Sequence, residues 1–574
     1  MKEGSDAKVA LPDGRASDTE KTTMNKIARR TFVSSMLATS AAALLAPRST
    51  QAAESRIEIL VNEPVGTISP EIYSHFVEHL GGVVYDGLWV GEKSKIPNYN
   101  GIRKSLVDNL KKLKPGVIRY PGGCFADQYD WRDGVGPRDK RPTRVNFWAD
   151  TKYKTTKAYE EMEGGPQKYE SNHFGTDEFV SFCRMVGAQP YLAANVRSRD
   201  VRVFLEWLEY CNAPANLTTW STERAKNGFA PPHNVSFWGI GNESWGCGGD
   251  FTPEEYATEF RKFTAWLPTY GVPLKLIGSG PNGGDLNWTR KAFEGLALKG
   301  SRQIAKLYGW GLHYYCGSTG QQVANEYTEN EWYDLLERAN RMESLIESHW
   351  QVMGEFDRER RVKLAVDEWG AWHKQDPDVP PAYLYAYAGT LRDALISAIN
   401  LDTFQRHAEK VVMANPAQLV NTIHSLFHTY EDKFIMTPNY HVFEMYGAHA
   451  GATSLRTEFV APKIGFTRLD AQRKEVPNSF WGLNGSASLK GKQLVVTVVN
   501  PHAKETREAD IAIRGASMRS CESRTLTAND IHARNSFANP NALEPKNATV
   551  AGSGSTLTYT FAPASVTRLV FQLS

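Results

Sequence analysis

The sequence has few cysteines, little net charge and no apolar run long enough to cross a membrane. Its 574 residues include six cysteines, and the formal net charge is +2. The cysteines form neither a Cys-x-x-Cys pair nor a Cys/His spacing typical of zinc. A framework of several disulfide bonds is therefore not expected, and a single disulfide bond is the alternative. A balance so close to neutral gives no field that favours nucleic acid or an anionic membrane.

What the sequence does contain is sufficient material for a large folded protein. Hydrophobic residues make up 41% and charged residues 23% of a chain that is too long for one ordinary domain. Trp and Tyr are frequent, at 15 and 24 residues. Most of these rings are expected to pack in the core or on the surface, and a few could stack on a sugar.

The N-terminal segment has the parts of an export signal. Arg29-Arg30-Thr-Phe-Val is followed by an apolar run from Val33 to Leu45 and then by small residues up to Ala52. The run is too short for a stable membrane span, and the arginine pair resembles a twin-arginine signal. We therefore predict cleavage after Ala52 and a periplasmic or extracellular location, with no membrane association. A Sec signal or a disordered tail are the alternatives, and Met24 is an alternative start.

Beyond residue 68, short apolar runs alternate with amphipathic helical stretches. Eight β-then-α units predict a parallel (β/α)8 barrel, with an open doubly wound sheet as the alternative. The runs are Ile72–Phe76, Gly116–Tyr120, Pro190–Asn195, Val235–Gly241, Leu274–Ser279, Tyr308–Tyr314, Lys363–Val366 and Val411–Ala414. Polar and aromatic residues follow these runs, at the end where barrel enzymes build their sites.

Past about residue 447 the helical periodicity gives way to short β-like segments, which predict a β-sandwich. The expected organisation is an export segment over 1–53, a strand over 54–67 that joins the sandwich, a catalytic barrel over 68–446 and the sandwich over 447–574. A polar stretch over 153–172 is interpreted as an inserted loop.

Two glutamates stand at the ends of apolar strands. Glu243 closes Gly-Asn-Glu after the fourth strand, and Glu368 lies in Asp-Glu-Trp after the seventh. Glycosidic hydrolysis requires one carboxyl group to protonate the leaving oxygen and a second to attack or to activate water. Strands four and seven face each other across a barrel mouth, so we expect these two side chains to converge. Asn242 could hold a sugar hydroxyl, and Trp369 or Trp372 could offer a stacking face.

Seven segments carry a resemblance to a known family. They are His75-Phe-Val-Glu-His-Leu-Gly81, Arg119-Tyr-Pro-Gly-Gly-Cys-Phe-Ala-Asp127, Trp131-Arg-Asp-Gly-Val-Gly-Pro137 with Arg141-Pro-Thr-Arg144, Gly241-Asn-Glu-Ser-Trp-Gly246, His313-Tyr-Tyr315, Asp367-Glu-Trp369 and Asn415-Pro-Ala-Gln-Leu-Val-Asn421. In order and residue type these segments resemble glycoside hydrolase family 51, the α-L-arabinofuranosidases. The C-terminal part is similar more loosely, through Val498-Val-Asn-Pro-His502.

The resemblance implies a role for each matching position. It implies Glu243 as acid/base and Glu368 as nucleophile of a retaining, exo-acting double displacement. The further implied residues are Glu78, Asn242 and Gln418 for the furanose hydroxyls, Arg119 and Tyr315 around the nucleophile, and Cys124 in the subsite wall. Glu78 could instead be a structural partner of Arg119, Tyr315 a core aromatic and Cys124 a small buried residue.

No cofactor and no metal are expected, because two carboxylic acids suffice for this chemistry. The expected partner is a carbohydrate, namely arabinan, arabinoxylan or an arabinose-containing oligosaccharide, with no role for nucleic acid. The resemblance also implies a homo-oligomer, with a hexamer among the expected forms. An exo-xylosidase or endo-glucanase on the same fold, and a non-catalytic carbohydrate-binding barrel, are the alternatives. Trp148 is left out of the site, because the family's aromatic contact after Arg-Pro-x-Arg is displaced by one residue here.

Overall fold

The computed structural model describes residues 54–574 apart from 151–168, 299, 301, 318–321, 378 and 380–382. In the N-terminal half the strands are β1 (Ser55–Thr67), β2 (His75–Phe76), β3 (Asn98–Tyr99), β4 (Ile102–Arg103), β5 (Val117–Tyr120), β6 (Arg144–Val145), β7 (Tyr169–Glu170), β8 (Gln189–Ala194), β9 (Phe237–Ile240) and β10 (Lys275–Gly278). The helices there are α1 (Lys104–Leu113), α2 (Thr176–Val186), α3 (Val201–Asn212), α4 (Thr219–Lys226), α5 (Pro253–Phe263) and α6 (Leu286–Ala297).

The C-terminal half begins with long helices and strands, and towards its end it consists mostly of strands. Its helices are α7 (Glu329–Phe356), α8 (Leu391–Arg406) and α9 (Pro438–Tyr446). Its strands are β11 (Leu307–Gly317), β12 (Lys363–Trp372), β13 (Val411–Pro416), β14 (Phe427–Tyr430), β15 (Lys433–Met436), β16 (Thr453–Val460), β17 (Ile464–Leu469), β18 (Glu475–Phe480), β19 (Asn484–Lys490), β20 (Gln493–Asn500), β21 (Arg507–Arg514), β22 (Met518–Leu526), β23 (Lys546–Val550), β24 (Thr556–Phe561) and β25 (Ser565–Leu573).

Eight parallel strands form the barrel, in the order β2-β5-β8-β9-β10-β11-β12-β13. The first and last strands meet where Asn415 Nδ2 donates to the carbonyl of His75 at 2.9 Å, and Leu419 N donates to that of Phe76 at 2.8 Å. The strands are buried on both faces, as parallel strands are when helices cover the outside. The predicted (β/α)8 barrel is therefore confirmed, and the open doubly wound sheet is excluded.

Several barrel helices start at a capping box, which fixes where the preceding loop ends. Helix α5 begins after Thr252, whose hydroxyl accepts from the Glu255 amide, while the Glu255 carboxylate accepts from the Thr252 amide. The reciprocal bonds satisfy two otherwise unpaired N–H groups at the helix start. Because α5 follows β9, this box limits the loop that carries Glu243 to residues 241–252.

The C-terminal domain is a nine-stranded sheet in the order β23-β22-β25-β20-β19-β16-β1-β21-β24. Strand β1 runs antiparallel to β16 and parallel to β21, so residues from the N-terminal side of the barrel complete a sheet built from the C-terminal segment. Inward-facing apolar residues on β1, β20 and β25, among them Ile57, Val496 and Phe571, share one core. This matches a β-sandwich domain as expected, since alternate residues of each strand face inward.

A buried carboxyl group joins the barrel to the sandwich. Asp402 on α8 accepts hydrogen bonds from Ser486 Oγ at 2.8 Å, Thr497 Oγ1 at 2.6 Å and Tyr446 OH at 2.8 Å. Burial raises the pKa of Asp402 to about 7, although these three donors oppose the shift. The joint therefore holds a carboxyl that is largely protonated below neutral pH.

The stretch interpreted as an inserted loop lies mostly outside the described residues. Of 153–172, residues 169–172 are described, and Tyr169 and Glu170 of β7 pair with residues 144–145 of β6. The buried Glu170 carboxylate then reaches His79 Nδ1 at 2.7 Å, next to the predicted sugar contact Glu78. Over the described ranges, no helix has the length and apolar character that a membrane crossing requires.

Candidate active site

Two glutamates meet at the carboxyl end of the barrel. Glu243 follows β9, the fourth barrel strand, and Glu368 lies within β12, the seventh. One carboxylate oxygen of Glu243, one of Glu368 and a ring nitrogen of His313 lie within 4.8 Å of one another. Glu243 and Glu368 are thus close enough to act on one bond of a bound molecule.

Arg119, at the third position of β5, holds the Glu368 side. Its Nη1 donates to Glu368 Oε1 at 2.8 Å and to the Asp367 carbonyl at 3.0 Å, and its Nη2 donates to Asn242 Oδ1. The guanidinium is buried over the Phe76 ring, 4.5 Å from its centroid. A planar, permanently charged fork fixes several acceptors at once, which a lysine could not do.

Tyr315 completes the environment of Glu368. Its hydroxyl donates to Glu368 Oε2 at 2.8 Å, so each oxygen of that carboxylate has its own donor. Two hydrogen bonds to separate oxygens hold the Glu368 carboxylate in one orientation. Tyr315 therefore faces the site and is not the core aromatic of the alternative interpretation.

Glu243 has a different environment. The loop after β9 turns sharply, with Glu243 at φ +40°, a left-handed conformation that costs about 1–3 kcal/mol for a residue with a side chain. Burial raises the pKa of Glu243, the charge of Glu368 adds to this, and the hydrogen bond from His313 opposes it. The raised pKa of Glu243 favours its protonated form.

His313 bridges the acidic groups. Its Nδ1 lies 3.0 Å from Glu243 Oε1 and 3.5 Å from Glu368 Oε2, and its Nε2 lies 3.2 Å from Asp367 Oδ1. Burial alone would lower the pKa of His313, but Glu368, Asp367 and Glu243 outweigh burial and raise the pKa to about 10. An imidazolium here offsets part of the repulsion between the carboxylates.

Glu78 anchors a second cluster at the start of the barrel. Its Oε1 accepts from the Phe125 amide at 3.1 Å and from Trp148 Nε1 at 3.2 Å, and its Oε2 accepts from Gln418 Nε2 at 3.0 Å. Burial and the charge of Glu368 raise the pKa of Glu78 to about 8. Its described contacts are with these groups and not with Arg119, so the alternative pairing does not form.

Aromatic rings enclose the space beside these groups. Trp372 packs edge-to-face on Tyr315 and on Tyr385, with ring centroids 5.1 and 4.9 Å apart, and Tyr385 packs the same way on Trp148 at 6.1 Å. These rings belong to one apolar cluster that Cys124 also contacts. They form a wall of the kind that packs against the apolar face of a sugar.

Cys124 lies against this wall, as expected. Its disulfide partner, in contrast, was not predicted. Cys124 forms a disulfide with Cys247, 123 residues later, and the two sulfurs lie 3.8 and 3.5 Å from Glu243 Oε2. The cysteine spacing had left one disulfide bond possible without naming its members, and these are Cys124 and Cys247. The loop after β9 brings Cys247 back against the Gly-Gly-Cys turn after β5, which local spacing cannot reveal.

The structure places all nine predicted site residues at this end of the barrel and adds four more. The added residues are His313, Trp148, Tyr385 and Cys247. His313 stood in the His-Tyr-Tyr motif, so its strand position could have indicated it. Trp148 was left out of the predicted site, but its indole N–H donates to Glu78 and the residue is only 8% exposed. Asp127 holds the backbone next to Glu243, because its Oδ2 accepts a hydrogen bond from the backbone N–H of Asn242 at 3.1 Å.

Comparison with known proteins gives matches along nearly the whole described chain. Residues 109–328 match a family model described as the α-L-arabinofuranosidase 1 domain, and residues 367–565 match the α-L-arabinofuranosidase C-terminal domain. The chain is 34% identical over 514 residues to an intracellular exo-α-L-arabinofuranosidase of Bacteroides ovatus, which covers 88% of this chain and 93% of that protein.

Solved structures agree with these matches. The family 51 arabinofuranosidase of Xanthomonas axonopodis pv. citri superimposes with a TM-score of 0.81 at 34% identity, covering 90% of this chain and all of that one. The α-L-arabinofuranosidase of Thermotoga maritima in its arabinose complex gives a TM-score of 0.74 at 30% identity, with the same coverage. The resemblance found in the sequence is confirmed.

The comparisons contradict the prediction of export. The Bacteroides ovatus relative is named an intracellular enzyme, which points away from a periplasmic or extracellular location. The residues behind the prediction, 1–53, lie outside the described part of the chain. The Ala- and Ser-rich run that follows the basic pair is only weakly apolar. The composition of such a segment does not distinguish an export signal from a polar N-terminal extension.

Proposed function

This chain belongs to the α-L-arabinofuranosidases of glycoside hydrolase family 51 and is a glycosidase, and we propose that it releases terminal α-L-arabinofuranosyl groups with retention of configuration. The proposal rests mainly on one observation, the separation of the two glutamates. Carboxyl groups about 5–5.5 Å apart suit direct attack on the sugar, whereas about 6.5–9.5 Å leaves room for water in inverting enzymes. One oxygen of Glu243 and one of Glu368 lie within 4.8 Å of each other, and this close approach supports the retaining arrangement.

The surroundings of the two carboxyl groups divide their roles. Glu368, held by Arg119 and Tyr315, attacks the anomeric carbon as the ionised nucleophile. Glu243, whose pKa is raised by burial, donates its proton to the leaving oxygen in the same step. Once ionised, Glu243 takes a proton from water, which attacks the covalent arabinosyl-enzyme and releases arabinose. His313 touches both groups and stabilises the ionised form of either.

Sugar recognition is assigned to the groups that line the same space. Glu78 offers carboxylate oxygens and Asn242 an amide group. Gln418 Oε1 is buried and has no hydrogen-bond partner among the described residues, so a furanose hydroxyl would satisfy it. The wall of Trp148, Tyr385 and Trp372 closes one side, which supports a site for a single terminal sugar.

The proposed natural substrates are arabinose side chains of hemicellulose, in arabinan, arabinoxylan or their oligosaccharides. An exo-xylosidase or endo-glucanase would use the same barrel and the same two acids on another sugar. A panel of 4-nitrophenyl glycosides separates these functions. We expect turnover of the α-L-arabinofuranoside, and at most weak turnover of the α-L-arabinopyranoside and β-D-xyloside. Preferred turnover of the xyloside would contradict the assignment, and no turnover at all would favour a binding protein.

Azide rescue tests the two roles against each other. In Glu368→Ala no arabinosyl-enzyme forms, so activity should be lost on every substrate, and azide should restore turnover by entering the vacated space. The azide product then has inverted configuration. In Glu243→Ala the first step should stay fast with 2,4-dinitrophenyl substrates, because this leaving group needs little protonation. The intermediate then accumulates as a burst, and azide yields the retained product.

Rate losses and a control complete this test. On poor leaving groups Glu243→Ala should lose about 10²–10⁴-fold, the usual contribution of a general acid/base. The matched control is Glu254→Ala, an exposed glutamate at the start of α5 on the same side of β9, which should leave activity unchanged. Opposite stereochemistry of the two azide products would reverse the roles, and full activity in both variants would place the site elsewhere.

We also propose that the enzyme is a homo-oligomer, with a hexamer as the form that the family resemblance suggests. Light scattering coupled to gel filtration gives the mass directly, against 64.1 kDa for one chain. A single species at the mass of one chain, at micromolar concentration, would contradict this.

A further inference from the structure

The disulfide between Cys124 and Cys247 lies directly against the proposed acid/base. Its sulfurs are 3.8 and 3.5 Å from Glu243 Oε2, and both cysteines are half-buried at the barrel mouth. The two sulfurs and the carboxylate oxygen form a compact set of three metal-ligand atoms, all within 4.8 Å of one another. The other four cysteines are free and buried elsewhere, so this is the cysteine pair that a small reagent in the active site can reach.

Three distances join the two sulfurs and Glu243 Oε2, and the two sulfur–oxygen distances match those of a tetrahedral zinc site. Zn–S bonds of about 2.3 Å and Zn–O bonds of about 2.0–2.2 Å, at tetrahedral angles, place a sulfur and an oxygen ligand about 3.5 Å apart. Glu243 Oε2 already lies close to that distance from both sulfurs. The same bond lengths require about 3.8 Å between two sulfur ligands. Two covalently bonded sulfurs are too close together for this, so only cleavage of the disulfide completes the set.

We propose that reduction of the Cys124–Cys247 disulfide creates a binding site for one soft divalent cation, with Zn²⁺ as the type, whose ligands are both thiolates and Glu243. A dithiol reductant supplies two hydrogen atoms, one for each sulfur, and becomes a cyclic disulfide itself. Zn²⁺ then displaces to solvent the two thiol protons, together with the proton of Glu243 where that carboxyl group holds one, and binds two thiolates and one carboxylate. Thiolates prefer such borderline-soft ions over Mg²⁺ or Ca²⁺.

The hydrogen-bond pattern around Glu243 suits this arrangement. The sulfurs face Oε2, while His313 Nδ1 contacts the other oxygen, Oε1, at 3.0 Å. A ligating carboxylate commonly has its second oxygen hydrogen-bonded in this way, which orients the ligand. Three protein ligands also leave a fourth tetrahedral position open, as in zinc sites that keep a water molecule.

Metal binding has a consequence for the reaction, and this consequence rests on the proposed function. A carboxylate that ligates Zn²⁺ can neither donate a proton to the leaving oxygen nor accept one from water. The reduced enzyme should therefore be inhibited by Zn²⁺ while the oxidised enzyme is not. The redox state of one disulfide would then decide whether the enzyme is sensitive to this cation.

The first experiment measures binding separately from activity. Full-length enzyme is compared before and after treatment with dithiothreitol, which is removed by gel filtration under argon before ZnCl₂ is added. Native mass spectrometry should find one tightly held Zn²⁺ per chain in the reduced sample and none in the oxidised one. Reduced Cys247→Ser should bind at least tenfold more weakly. Reduced Cys521→Ser, whose buried free cysteine lies in the sandwich, is the matched control and should bind like the wild type.

The second experiment measures inhibition of the same samples on 4-nitrophenyl α-L-arabinofuranoside. One equivalent of Zn²⁺ should reduce the activity of the reduced enzyme at least tenfold, and EDTA should restore it. Equal zinc binding by oxidised and reduced enzyme, or by reduced Cys247→Ser and wild type, would overturn the site. Stoichiometric binding without inhibition would overturn Glu243 as a ligand. An oxidised wild-type enzyme without arabinofuranosidase activity would instead refute the proposed function, and zinc stoichiometry would still decide the metal site.

Discussion

Replacing His313 tests how the pKa of Glu243 is controlled. His313 Nδ1 lies 3.0 Å from Glu243 and 3.5 Å from Glu368, and its pKa is raised to about 10, so it is cationic near neutral pH. Both its charge and its hydrogen bond lower the pKa of Glu243. His313→Leu removes both effects, whereas His313→Asn removes the charge and keeps a neutral donor near Nδ1.

The size of the effect follows from the contact. A hydrogen bond to a charged group contributes about 1.5–3 kcal/mol, and one pKa unit corresponds to about 1.36 kcal/mol. Loss of the contact should therefore raise the pKa of Glu243 by about one to two units. Because Glu243 must be protonated in the first step, the alkaline limb of kcat/KM should move to higher pH by the same amount. The shift should be smaller in His313→Asn.

The assay is the pH dependence of kcat/KM on 4-nitrophenyl α-L-arabinofuranoside between pH 4 and 10. The matched control is His349→Leu, which removes a buried histidine that bonds to Thr289 and to the Gly283 carbonyl, away from the glutamates. This control should change thermal stability and leave the alkaline limb in place. An alkaline limb that stays in place or moves to lower pH in His313→Leu would refute the argument.

Three other changes test the surrounding groups. Arg119→Lys loses part of the fork that holds Glu368 and should lower kcat/KM about 10- to 150-fold, the equivalent of one hydrogen bond to a charged group. Glu78 accepts hydrogen bonds from three donors, so the NH₂ group in Glu78→Gln faces at least one of them, and we expect KM for the arabinofuranoside to rise about tenfold or more. Asp402 has a pKa of about 7 when folded and about 3.9 when unfolded, so its stabilising contribution is complete below pH 4 and is lost as pH rises to about 7. In Asp402→Asn the melting temperature should therefore fall less between pH 4 and pH 8 than in the wild type.

Each of these expectations has an opposing result. Unchanged kinetics in Arg119→Lys would show that a single ammonium group is enough to orient Glu368. An unaltered KM in Glu78→Gln would remove Glu78 from the sugar contacts. Parallel melting curves of Asp402→Asn and the wild type over this pH range would mean that the Asp402 carboxyl titrates normally.

The positions of the two glutamates could be predicted because local patterns reveal where barrel strands end. Continuous apolar runs of four to eight residues mark strands buried on both faces, and the residues after them face the barrel mouth. Glu243 satisfied this rule at the end of β9. Glu368 satisfied it less fully, since β12 continues to Trp372 beyond the predicted end at Val366. The extension keeps Trp372 on the same strand as Glu368.

The contacts between the site residues could not be predicted in the same way. Trp148 reaches Glu78 across 70 residues of sequence, His313 reaches Glu243 across 70, and Cys247 meets Cys124 across 123. Each contact depends on the path of a loop whose residues have no periodicity. Family order suggested that Trp148 was displaced, yet the loop brings its indole to Glu78.

The repeated β/α pattern, the β-rich C-terminal domain and the two glutamates at strand ends can be predicted from the sequence alone, because backbone periodicity and strand termini are local properties of the chain. Three other features are visible only in the folded protein: His313 lies between both carboxylates, a disulfide packs against Glu243, and Asp402 joins the two domains. These features arise when the barrel closes and its register brings distant strand ends together. Closure is a property of all eight strands at once, so no single segment of sequence encodes it.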